Sequence, residues 1–248
     1  MAAYDFTAPR LFVAADLAPG ARLSLERAQA NYLLTVLRKA DGEGVLVFNG
    51  RDGEWQAEIA PTGRKSADLV LREQTRLQPP PHGLHYLFAP LKLARLDYMA
   101  QKAVEMGAGR LQPVFTRHTQ GERVKLERLA ANALEAAEQC GILNLPEIGE
   151  PMRLPQALDA LETERLLVFC DENAPVSDPV AALRQGASGN PPLAVLVGPE
   201  GGFAPEERER IAARPNTLAL SLGPRILRAD TAAVAVLALV QGVLRDAR

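Results

Sequence analysis

The hydrophobic rhythm of the chain changes once, at Leu77-Gln78-Pro79-Pro80-Pro81-His82-Gly83. Before this run, apolar positions come in short alternating stretches. Arg10-Leu11-Phe12-Val13 and Val45–Phe48 read as strands. Asn49–Gly53 reads as a turn built from residues that tolerate positive φ, and Glu54–Ile59 as the returning strand. Between them, Leu25 to Arg38 carries apolar residues at helical spacing. Residues 1–76 are therefore expected to form a small β-barrel with one helix. After the run, strands and helices alternate. The expected strands are Leu84–Phe88, Arg110–Phe115, Leu166–Phe169, Leu193–Val197 and Thr217–Leu220. The expected helices are Arg95–Met106, Lys125–Cys140, Pro205–Ala213 and Asp230–Leu244. This α/β alternation over 84–248 predicts a mostly parallel sheet covered on both faces. Residues 77–83 form a stiff linker, because successive prolines donate no backbone hydrogen bond and favour extended chain. Leu193–Val197 is apolar throughout, as a central buried strand should be.

Composition narrows this picture only slightly. Of 248 residues, 47% are hydrophobic and 23% charged, which is ordinary for a folded globular chain. A formal net charge of −2 does not advertise a nucleic-acid binder, so only local basic clusters can speak for one. The two cysteines, Cys140 and Cys170, lie far apart in sequence, and His82, His85 and His118 have no metal-site spacing, so no metal is expected. The opening MAAYDFTAPR lacks the apolar core of a leader peptide, and the apolar run Ala232–Val240 is too short to span a bilayer. A cytoplasmic protein with no membrane contact is expected.

The most informative segment is Val197-Gly198-Pro199-Glu200-Gly201-Gly202-Phe203, followed by Ala204-Pro205-Glu206-Glu207. A buried strand runs into a glycine loop and then into a helix, which places the loop where open α/β sheets bind ligands. Glycines there let a ligand approach the backbone closely. Phosphate is an unsuitable ligand, because neither GxxxxGK[ST] nor GxGxxG is present and Glu200, Glu206 and Glu207 would repel it. An adenosine-like ligand without phosphate, such as S-adenosylmethionine, meets no such repulsion. Taken alone, a two-glycine loop is better explained by a tight turn needed only for packing.

A second strand, Thr217–Leu220, leads into Ser221-Leu222-Gly223-Pro224-Arg225-Ile226-Leu227-Arg228-Ala229-Asp230-Thr231-Ala232-Ala233, where Asp230 or Thr231 could cap the following helix. Together VGPEGGF and LGPRILRADTA resemble the SPOUT methyltransferases, specifically the ribosomal small-subunit methyltransferase E family. The resemblance extends to Leu91-Lys92-Leu93, Gln101–Gly107, Pro113, Glu135–Cys140 and Pro146, and in the first domain to Arg10–Val13, Val36-Leu37-Arg38 and Gly50. It implies a PUA-like barrel followed by a deeply trefoil-knotted C-terminal domain, a homodimer, and methylation of N3 of a uridine in the decoding region of small-subunit ribosomal RNA. It also implies that S-adenosylmethionine lies bent against Val197, Gly198, Pro199, Glu200, Gly201, Gly202, Leu222, Gly223, Ile226, Leu227 and Arg228. The chain departs from the family pattern at Gly141–Asn144, where relatives carry basic residues, and at Asp230, where they commonly carry Glu.

Uridine N3 is a poor nucleophile until its proton leaves, so the reaction needs alignment, a proton acceptor and stabilisation of charge on O2 and O4. Arg228 suits the electrostatic role because its guanidinium is permanently charged and offers two donors; the alternative is that it holds a loop carboxylate. Asp230 or Glu200 could take the proton or orient Arg228. For RNA contact the candidates are Arg10, Arg38, Lys92, Lys102, Arg117 and Arg123, drawn from basic positions that also include Arg22, Arg51, Arg95, Lys125 and Arg128. The competing expectations are methylation of another RNA position or of a ribose 2′-oxygen, and a non-catalytic ribosome-assembly protein.

Overall fold

The computed structural model describes residues 8–63, 65–120, 123–175 and 178–245. Residues 1–7, part of the segment read for a leader peptide, lie outside them. Two compact units divide the chain: residues 1–80 together with 137–145, and residues 81–136 together with 146–248.

The first unit is a five-stranded sheet with one short helix. Its strands are β1 (Arg10–Phe12), β2 (Arg22–Ser24), β3 (Gly44–Phe48), β4 (Glu54–Gly63) and β5 (Ser66–Arg76), paired in the order β1-β3-β4-β5-β2. Only the β1–β3 pair is parallel. Strand β5 has no counterpart among the expected elements. Its inward alternation of Ala67, Leu69 and Leu71 is followed by the exposed, polar Arg72–Thr75, which hides the period. Helix α1 (Arg27–Asn31) continues as a π-helical turn over Tyr32–Val36, in which the Leu37 amide donates to the Tyr32 carbonyl at 2.9 Å. The expected single helix is thus a composite, closed by Arg38 in the left-handed region at φ 55°. Leu33, Val45, Val47, Ile59, Leu69 and Leu71 fill the core.

One charged cluster is buried in this unit. Arg10 Nε donates to Glu54 Oε2 at 2.6 Å, Arg76 Nη2 donates to the same oxygen at 2.6 Å, and Thr75 Oγ1 donates to Glu54 Oε1 at 2.9 Å. The side chains of Arg10 and Glu54 are only 4% and 2% exposed. This corrects the assignment of Arg10 to RNA contact, since a guanidinium enclosed against Glu54 cannot reach a phosphate. Arg38, in contrast, is exposed. Burial by itself raises the Glu54 carboxyl, but hydrogen bonds from Arg76 and Arg10 outweigh it and hold the pKa below its usual 4.5. A carboxylate depressed in this way contributes stability above its unfolded pKa and loses it as pH falls through the folded value. Glu54→Gln is expected to cost about 3–5 kcal/mol at neutral pH, because it leaves buried guanidinium charge without its carboxylate. In urea titrations its deficit against the wild type should shrink as pH drops below about 4.5.

Segment 137–145 belongs to this unit through specific bonds, although it follows residue 84 in sequence. The Phe12 amide donates to Glu138 Oε1 at 2.8 Å, Arg76 Nη2 to the Gly141 carbonyl at 2.9 Å, and Gln78 Nε2 to Asn144 Oδ1 at 2.6 Å.

The second unit is a parallel α/β layer structure. Strands β6 (Leu84–Phe88), β7 (Ala108–Phe115), β8 (Glu147–Ile148), β10 (Leu166–Cys170), β11 (Leu193–Val197) and β12 (Thr217–Leu220) order as β12-β10-β11-β6-β7-β8, and β9 (Met152–Arg153) pairs with β7. Every pairing is parallel. Parallel neighbours require crossovers, which here run through α2 (Leu93–Glu105), α3 (Leu126–Cys140), α4 (Leu154–Asp159), α5 (Pro179–Gly186) and α6 (Pro205–Ala213), while α7 (Ala229–Arg245) follows the last strand. Strand β11 lies between β10 and β6, with Ala194, Val195 and Leu196 fully buried, as its apolar sequence requires. Helices α4 and α5 lie outside the expected set. The second carries a readable signature: Asp178 Oδ1 accepts the Ala181 amide at 3.0 Å, and Pro179 opens the helix. No helix among the described residues is long and apolar enough to cross a membrane.

Candidate active site

Because β12, β10 and β11 are adjacent and parallel, the three loops leaving their carboxyl ends converge. They enclose a cleft of about 310 Å³. Strand β11 supplies Val197 to Phe203, β12 supplies Leu220 to Gly223 and then Arg225, Ile226 and Leu227, and β10 supplies Cys170, Asp171 and Glu172. Ala229 and Ala232 of α7 close one side.

The glycine loop is shaped by its neighbours. A Cβ at Gly198 would lie 2.4 Å from Cε2 of Phe203, a ring that is buried and packed edge-on against Phe169 at 5.1 Å between centroids. The Gly202 amide donates to the Pro199 carbonyl at 2.9 Å, closing a turn in which Gly202 takes φ +67°. On the outer side, His118 Nδ1 donates to the Gly201 carbonyl at 3.0 Å and lies 3.2 Å from that of Gly202. His118 comes from the loop after β7, and no local sequence signal could have joined it to a loop 83 residues away. The next helix begins with its carboxylates already engaged. Glu207 accepts the Arg117 amide at 2.9 Å and the Ala204 amide at 3.0 Å, and Glu206 pairs with the Arg117 side chain.

The cleft wall is apolar and its rim acidic. Val197, Leu220, Leu222, Ile226, Leu227 and Phe203 supply the first. Asp171, Glu172 and Glu200 supply the second, against one lining cation, Arg225. Arg208 Nη2 holds both Asp171 and Glu172 at 2.7 Å, and Arg95 pairs with Glu200. Burial pushes the Cys170 thiol up to about 12, so it stays protonated at neutral pH. A cleft with this rim suits a phosphate-free ligand that carries positive charge or hydroxyl groups. Among the described residues no cluster of His, Cys, Asp or Glu could hold a metal ion.

Ten of the eleven positions expected to contact a cofactor line this cleft, from Val197 to Gly202 and at Leu222, Gly223, Ile226 and Leu227. Arg228 does not. Its carbonyl accepts the Ala232 amide at 2.8 Å, so Arg228 is the residue that caps α7, and its exposed side chain has no ion pair among the described residues. Asp230 and Thr231 are therefore inside the helix and neither is its cap. Asp230 is outside the cleft lining, whereas Glu200 is part of it. The loop after β10 gives no sequence signal, because Cys170-Asp171-Glu172 carries no glycine to mark it.

The expected RNA contacts of this unit divide in two. Lys102 Nζ lies 2.7 Å from Glu105 and over the Tyr98 ring, and Arg117 is taken by Glu206. Both cations are neutralised locally. Lys92 and Arg123 are exposed without ion pairs among the described residues.

Comparison with known proteins agrees with this geometry. Residues 78–241 match the family model of the RNA methyltransferase domain, and residues 25–72 that of the RNA methyltransferase PUA domain. The ribosomal RNA small subunit methyltransferase E of Rickettsia conorii is 31% identical over 233 residues, covering 94% of each chain. The protein of the same name from Synechocystis is 34% identical over 245 residues, covering 96% of this chain and 78% of its own. The crystal structure of the Neisseria gonorrhoeae protein of that name, bound to S-adenosyl methionine, matches with a TM-score of 0.83 at 26% identity, covering 95% of this chain and 98% of the other. With a PUA-like first unit and a parallel α/β second unit whose strand-end loops form the cleft, the chain belongs to the ribosomal RNA small subunit methyltransferase E family of RNA methyltransferases.

Proposed function

We propose that the chain transfers the methyl group of S-adenosylmethionine to N3 of a uridine in the decoding region of small-subunit ribosomal RNA. The observation that carries this reading is the cleft itself: three strand-end loops that include the glycine turn Gly198–Gly202, an apolar wall, and a rim whose carboxylates are Asp171, Glu172 and Glu200. The glycine loop, Leu222, Ile226 and Leu227 would hold the cofactor, which supplies an electrophilic methyl with a neutral thioether as leaving group. Uridine N3 must then be aligned and deprotonated. Glu200 would take the proton in this reading, supported by its position in the cleft lining, which Asp230 does not share. Arg228 lies between Leu227 and Ala229, both lining residues, and its side chain is exposed. There it serves the uracil O2 and O4 rather than the cofactor. Arg38, Lys92 and Arg123 contribute phosphate contacts. The same reading includes a trefoil-knotted arrangement of the C-terminal loops, a homodimer and a cytoplasmic location.

The test is transfer of labelled methyl from S-adenosylmethionine to unmodified small subunits and to naked small-subunit RNA. Label in the RNA of either substrate is the expected result. Bound cofactor with no label in either would contradict the assignment of substrate.

A further inference from the structure

A second cavity, of about 230 Å³, opens in the same unit where α2 and α3 begin. Its floor is apolar, formed by Leu91, Leu96 and Leu129, and its rim carries Lys92, Arg123 and Lys125. These three cations are exposed and have no ion pair among the described residues. A fourth lining cation, Arg128, is held bidentately by Asp97 at 2.8 and 2.5 Å, which neutralises the described carboxylate of the lining. A smaller hollow shares Leu91, Lys92 and Gln120 with the cavity, and shares Pro199, Glu200 and Gly201 with the cleft.

We infer that this cavity is a nucleotide subsite, which takes one unstacked nucleotide of the RNA close to the methylated uridine. The inference rests on the substrate reading given above. An apolar floor under a rim of three cations with no ion pair among the described residues matches a base with its phosphate: the base is removed from water against the leucines, and the phosphate meets Lys92, Arg123 and Lys125. Holding a neighbouring nucleotide here draws the target out of its stack and fixes its approach past Glu200.

The test uses the full chain and a small-subunit RNA fragment carrying the target uridine. The triple variant Lys92→Ala, Arg123→Ala, Lys125→Ala should bind the fragment at least about tenfold more weakly, with a log–log salt slope shallower by about 0.7 for each phosphate no longer neutralised. Its KM for RNA should rise, while S-adenosylmethionine affinity, read by direct titration, holds. An abasic nucleotide moved through the positions flanking the uridine should weaken binding to the wild type at one position. Leu96→Trp, which fills the cavity, should remove that sensitivity. Wild-type affinity and salt slope in the triple variant, while the wild type methylates the fragment, would overturn the subsite alone. So would a triple variant that loses activity by ceasing to dimerise, which would make this face a contact between copies. Failure of the wild type to methylate the fragment would overturn the substrate reading and the subsite with it.

Discussion

Gly198→Ala should weaken S-adenosylmethionine binding by about 5- to 150-fold, the equivalent of about 1–3 kcal/mol of overpacking. The added methyl would stand 2.4 Å from Cε2 and 2.9 Å from Cζ of Phe203. That ring cannot swing aside cheaply, because it is buried and packed edge-on against Phe169. Relief must come from the loop, which moves Pro199 and Glu200 and changes the cleft they line. Gly201→Ala provides a graded control. Its methyl meets only the His118 Cβ at 3.2 Å, on an exposed side chain that can give by a few tenths of an ångström. Calorimetric titration of the cofactor into both variants, alongside thermal melts, separates a deformed cleft from a destabilised fold. Equal losses in the two variants would show that the Phe203 contact does not shape the cofactor site.

Arg228→Ala should lower turnover by about 10²-fold, the usual cost of removing one preorganised donor from a developing oxyanion. Cofactor affinity should stay within a few-fold of the wild type, since Arg228 lies outside the cleft lining. Arg228→Lys keeps the charge but loses the planar fork, so it should recover only part of the rate. Steady-state kinetics with saturating cofactor, together with direct cofactor titration, checks both halves. A parallel fall in cofactor affinity would return Arg228 to the cofactor-binding set. Retention of near-normal turnover would leave Arg228 as a helix cap and nothing more.

Much of the second unit was legible because its strands are buried on both faces and read as continuous apolar runs. Leu193–Val197 and Leu84–Phe88 have the bounds expected of them, and so does the helix Pro205–Ala213. The glycine loop was legible for a related reason, since Gly198 lies against the Phe203 ring and Gly202 takes a positive φ, and both positions call for residues without side chains. What the sequence hid was long-range. His118 and Arg95 reach the glycine loop across 83 and 105 residues. The acidic pair Asp171 and Glu172 looks like an ordinary exposed loop until Arg208 and the cleft are placed beside it. Arg10 reads as a surface cation at the edge of a strand. Its partner Glu54 opens a strand that reads as amphipathic, and only the pairing of β1 through β3 to β4 buries the two together.

The central question is the identity of the methylated atom. The most direct measurement is digestion of RNA labelled by the wild-type chain, followed by chromatographic and mass-spectrometric identification of the labelled nucleoside. N3-methyluridine is the result that the proposed roles predict, Arg228 at the uracil oxygens and Glu200 at the N3 proton. Label on a ribose 2′-oxygen or on another base would contradict that assignment while leaving the fold and the cofactor cleft as described.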